Sequence, residues 1–173
     1  MAKLIAVQTP EEVHRQARDY VKSYILFPSG LVGLICLVGG VGGLGYQLMA
    51  TDTYTWATFY QSSGLLLLGG VIGLAQTRYQ QFLLKAFPDV LAARMRAASM
   101  KRGRKKKGHA SPPPIMHPGR AFVPVAYATG GTVLVASALA ASLYGQVHPL
   151  PALLLPWAGF YWARLFFWRK VVS

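Results

Sequence analysis

The sequence predicts an all-α integral membrane protein. It should hold four transmembrane helices in two hairpins, an N-terminal amphipathic helix and a basic cytoplasmic linker. Three observations carry this. Apolar residues make up 53% of the 173-residue chain and charged residues only 13%, against roughly 25% charged in an ordinary soluble domain. Four long apolar runs hold no Asp, Glu, His or Lys in their cores. All 18 Lys and Arg residues fall in three segments, Lys3 to Lys22, Arg78 to Arg120 and Arg164 to Lys170, and the turns after runs one and three hold none. With four crossings those segments share one side, which the positive-inside rule makes cytoplasmic or equivalent. The net charge of +13 therefore reads as an orientation signal. The expected location is a bacterial inner membrane or an organelle membrane.

Residues 1–23 form the N-terminal unit. Thr9-Pro10-Glu11-Glu12 predicts a helix start, with Thr9 as cap, Pro10 at the first helical position and Glu12 completing a capping box. Val13, Ala17, Tyr20 and Val21 then recur at helical spacing opposite Arg15, Arg18, Asp19 and Lys22. Such a helix suits the membrane surface, or docking on a protein.

Residues 24–77 form the first hairpin. Its first span, near Tyr24 to Met49, exceeds the ~20 residues that cross a bilayer and is too long for a signal-peptide core, so it should be retained. Pro28 should bend its start. Gly39 and Gly43 have the small-xxx-small spacing that lets helices approach in lipid. The second span, near Trp56 to Gln76, repeats five of the six positions of the first glycine run, with Gly69 and Gly73 in the matching places. Antiparallel spans should place the two motifs at different depths. Gln61, Ser62 and Ser63 are uncharged groups able to bond a neighbouring helix.

Residues 78–120 carry an amphipathic extension, kinked or restarted at Pro88 because proline lacks the amide donor, and then a loop. Lys101, Arg102, Arg104, Lys105, Lys106 and Lys107 are followed by Pro112-Pro113-Pro114. This composition suits neither helix nor strand. The basic cluster points to anionic lipid headgroups or a protein partner. No aromatic residue lies between Lys101 and Arg120, so no stacking platform for nucleic acid is encoded there.

Residues 121–168 form the second hairpin. Gly130 and Gly131 mark a tightly packing third span, and Pro156 should bend the fourth. The end of the fourth span is crowded with rings, of which Trp157, Tyr161 and Trp168 are candidates to contact lipid or a flat hydrophobic cofactor such as a quinone or pigment. Arg164 should snorkel to the headgroups, and residues 169–173 form a tail.

The sequence offers no catalytic constellation and no metal-ligand spacing. His14, His109, His117 and His148 lie outside the spans, Cys36 is alone, and Asp52 with His148 is the one polar pair the turns could juxtapose. A membrane enzyme is therefore not expected, nor an intrinsic cofactor. The expected role is a non-catalytic accessory or structural subunit of a larger membrane complex. It would pack on other membrane subunits through Gly- and Ala-rich faces and dock through the basic loop. The alternative is a small self-associating transporter or channel for a neutral or amphipathic solute.

Overall fold

The computed structural model describes residues 9–103 and 122–172, with side chains for 9–95 and 122–169. The described residues are helical apart from two short turns and the helix ends. The elements are α1 (Pro10–Tyr20), a π-helical segment (Val21–Leu26), α2 (Phe27–Met49), α3 (Trp56–Ala86), α4 (Pro88–Gly103), α5 (Phe122–Leu143) and α6 (Pro149–Val172). Four stretches are long and apolar enough to cross a membrane: Pro10–Met49, Trp56–Ala86, Phe122–Leu143 and Pro149–Arg169.

The first of these runs unbroken for 40 residues, about 60 Å at 1.5 Å per residue. That is about twice the hydrocarbon thickness, so α1 projects well beyond the apolar zone. Pro28 does not end the helix. It cannot bond the Tyr24 carbonyl, and its ring crowds that carbonyl. The turn before it widens instead, and the Phe27 N–H bonds back to Lys22 O, five residues away as in a π-turn. Pro88, by contrast, divides two helices: α3 stops at Ala86 and α4 starts at Pro88.

The helix starts differ from expectation in one respect. Thr9 does precede α1, with Pro10 at its first turn, but its side chain makes no cap bond. The capping box belongs to α3, where Thr55 and Thr58 bond reciprocally.

The bundle is organised on α6, which is the main packing partner of both α2 and α3 and also supports α5. Consecutive spans are therefore bridged by the last helix. The buried positions of α2 are Ser29, Gly33, Cys36, Gly40 and Gln47. Those of α3 include Thr58, Ser62, Leu65, Gly69, Gly73 and Thr77. Small and polar residues thus face inward at three- and four-residue spacing, while Leu31, Leu34, Ile35, Val38 and Leu67 face outward. That inversion suits a bundle whose outer solvent is lipid, because packing there comes from close backbone approach.

The closest approach is between α3 and α6. A methyl group on Gly69 would overlap the Pro156 carbonyl oxygen, one on Gly73 that of Phe160, and one on Gly159 that of Leu66. On α2, a Cβ at Gly40 would stand 2.9 Å from Leu155 Cδ2 and one at Gly43 2.8 Å from Pro151 Cδ. The two glycine motifs thus meet successive stretches of one helix, Pro151 to Leu155 for α2 and Pro156 to Phe160 for α3, at different depths as antiparallel spans should. Gly40, not Gly39, is the fully buried member of its pair; Gly39 sits at the edge against Leu154. A Cβ at Gly130 would stand 3.2 Å from Ile72 Cγ2, and one at Gly131 would meet nothing within 4 Å among the described residues.

The apolar stripe of α1 docks on protein, the second of the two roles its periodicity allows. Ala17 and Val21 are fully buried in a cluster with Leu84, Leu91 and Trp168. The stripe that would have met headgroups meets the ends of α3 and α6 and the start of α4. Helix α4 itself reaches Gly103, so Lys101 and Arg102 extend a helix where the sequence suggested none.

Candidate functional site

Two polar regions lie at opposite ends of the bundle. At the end without Lys or Arg, the turn between α5 and α6 is clamped by side-chain amides. Gln47 Nε2 donates to Gln146 O at 2.9 Å, and Gln47 Oε1 accepts from His148 N at 3.0 Å. Gln61 Oε1 accepts from Gln146 N at 2.9 Å, and Thr55 Oγ1 donates to Gln146 Oε1. Gln47 is buried on α2, so one amide meets a donor and an acceptor of the same turn, as a backbone peptide would. Gln61 thus reaches a neighbouring element as expected, whereas Ser62 bonds back to Phe59 O. Asp52 and His148 do not pair: Asp52 is exposed with a left-handed backbone (φ 53°), and His148 Nδ1 accepts from Leu150 N. This end is a structural clamp.

The other end holds a cavity of about 370 Å³ where α1, the π-segment and the ends of α3, α4, α5 and α6 converge. Its polar lining is Tyr20, Tyr79, Gln80, Arg94, Tyr127 and Trp168. Its apolar lining comes from Ile25, Leu83, Leu91, Val123 and Pro124. Gln80 ties the wall together, with Nε2 donating to Tyr127 Oη at 3.3 Å and Oε1 accepting from Arg164 Nη2 at 3.4 Å. Arg164 is half-buried, its guanidinium 5.6 Å from the Phe160 ring centroid. It reaches Gln80 on α3, toward the basic end of the bundle. Arg164 Nε and Trp168 Nε1 are buried donors without a hydrogen-bond partner among the described residues. No Asp or Glu lines the cavity. The region is rich in donors, cationic, and apolar on one side.

The expected aromatic site is split. Trp157 and Tyr161 stack with centroids 6.2 Å apart, and Tyr161 Cβ lies 3.0 Å from where a Gly33 Cβ would stand, so this pair packs toward α2. Trp168, seven residues on, belongs to the cavity. Sequence reading missed Tyr20, Tyr79, Gln80, Arg94 and Tyr127 as a group. Each is an ordinary residue near a span end, and only the docking of α1 on α4 gathers them. Of the basic loop, Lys101 and Arg102 lie on the backbone of α4, and Arg104, Lys105, Lys106 and Lys107 lie outside the described residues. Among the described residues no group of three metal-ligating side chains occurs.

The fold and both polar ends define an all-helical protein with four potential membrane spans. No family model matches the chain, and no curated protein or solved structure matches it.

Proposed function

We propose that this chain is a non-catalytic accessory subunit of a larger membrane complex, with α5 as its docking helix. The observation that carries the reading is the lopsided burial of α5. Leu134 and Ala138 are its only buried residues, while Thr129, Thr132, Ala136 and Ala140 are exposed at three- and four-residue spacing on the opposite side. A face with so little side-chain bulk admits another helix closely. Among the described residues nothing packs on it, although α3 and α6 use the same kind of surface on each other.

In this reading both termini and the 78–120 segment lie on the cytoplasmic or equivalent side, as the placement of Lys and Arg supports. The convergence of α1, α4 and the end of α6 at one end of the bundle agrees with that orientation. The basic loop, which precedes the docking helix in the chain, adds electrostatic contact with a partner or with anionic lipid. A self-associating transporter is the less economical reading, because the tight α3–α6 seam leaves a path only between copies.

Extraction from the native membrane in a mild detergent tests the proposal. The chain should elute with other membrane subunits in fixed stoichiometry; elution as a lone monomer would sink the idea. Replacing Lys105, Lys106 and Lys107 together with Gln should leave insertion intact and weaken the association. Unchanged assembly would reduce the loop to an orientation signal.

A further inference from the structure

The cavity at the basic end lacks what its walls call for. Arg94 stands exposed beside it, and Trp168 in its wall is fully buried, with an indole N–H that has no partner among the described residues. Behind Gln80, Arg164 is a half-buried cation whose described contacts are an amide oxygen and a ring face. A cation held among apolar helices is costly unless an anion or strong acceptors meet it. Among the described residues no carboxylate lines the cavity, so its positive charge is left for an anion from outside. The apolar wall of Ile25, Leu83, Leu91, Val123 and Pro124 would repel a small hydrated anion but suits the glycerol and upper acyl part of an amphiphile. The volume of about 370 Å³ lies near the small end of ligand cavities, about 300–1,000 Å³. It suits a headgroup with its glycerol better than a whole lipid. Tyr and Trp around it are the side chains that settle at the headgroup level.

We infer that this cavity binds the phosphate headgroup of one anionic lipid. The phosphate oxygens accept hydrogen bonds from Arg94 and the indole of Trp168, with the charge of Arg164 behind the Gln80 wall. The glycerol rests on the apolar side, and the chains leave toward the surrounding lipid. The described lining of the site comes from one chain. It also stands independently of the accessory-subunit reading, since a lone chain contains it whole.

Native mass spectrometry of the purified full chain tests it, with phosphatidylglycerol or phosphatidylcholine added to the detergent. The chain should retain one phosphatidylglycerol under activation that strips phosphatidylcholine. Arg94→Gln, at an exposed position that the fold does not need, should lower retention about fivefold, the effect expected for one basic residue at a headgroup. Trp168→Phe should lower it as well. Arg18→Gln removes the same charge from the exposed side of α1 and should change nothing. Inorganic phosphate in large excess should not displace the lipid. Equal retention of the two lipids, an undiminished signal in Arg94→Gln, or an equal loss in Arg18→Gln would overturn the assignment. Displacement by inorganic phosphate would also overturn it, because the site would then take a free anion. If Trp168→Phe fails to fold, Arg94→Gln still decides.

Discussion

The carbonyl oxygen of Pro156 on α6 occupies the place where a side chain on Gly69 of α3 would have to begin. Gly159 and Leu66 repeat the relationship in the other direction. The two backbones therefore touch along a seam with no side chain between them, as in close Cα–H contacts between membrane helices.

That seam should not tolerate a methyl group. Gly69→Ala and Gly159→Ala are each expected to cost about 1–3 kcal/mol, the usual penalty for forcing extra volume into a packed interior. Gly42→Ala and Gly64→Ala, where nothing lies within 4 Å, should be neutral or gain up to about 1 kcal/mol of helix propensity. Thermal unfolding in detergent followed by helix signal separates the two classes.

Gln47 should matter as much as a glycine, for a different reason. Gln47→Leu keeps its bulk but takes the acceptor from the His148 N–H and leaves the Gln146 carbonyl only the 3.5 Å bond from Thr58 Oγ1. An unmade bond to a buried polar group costs about 1–3 kcal/mol. The α5–α6 turn should loosen first, visible as faster amide exchange at His148 in the variant.

Helix α1 should stay docked without a membrane. Ala17 is fully buried against the cluster of Leu84, Leu91 and Trp168, and Ala17→Lys places an unpaired charge there. Amides of residues 10–20 should then exchange at near-unfolded rates while α2, α3 and α6 keep their protection. Unchanged protection of α1 would mean that it owes nothing to this contact.

Much of this was legible in the chain and some was not. The four spans followed from charge-free apolar length, and the break at Pro88 from the missing amide. The partner of each span did not follow. Glycines at 39, 40, 42, 43 and 45 satisfy several helix faces at once, so spacing could not choose Gly40 over Gly39. Only the position of α6 makes that choice. The start of α1 was legible, yet the choice of its surface was not, because an apolar stripe suits a headgroup layer and a neighbouring helix equally well. The cavity was hidden for a related reason: Tyr20, Tyr79, Arg94, Tyr127 and Trp168 come from five helices and share no local pattern. Arg164 was the one visible signal, as a charge placed inside a span.

The central claim, that the open face of α5 seats another subunit, is tested most directly by placing bulk on it. Ala136→Trp points away from Leu134 and Ala138 and should leave the unfolding midpoint of the isolated chain unchanged. The same variant, extracted from native membranes in mild detergent, should separate from the subunits that accompany the unaltered chain. Retention of the full assembly by Ala136→Trp, at the original stoichiometry, would contradict the account.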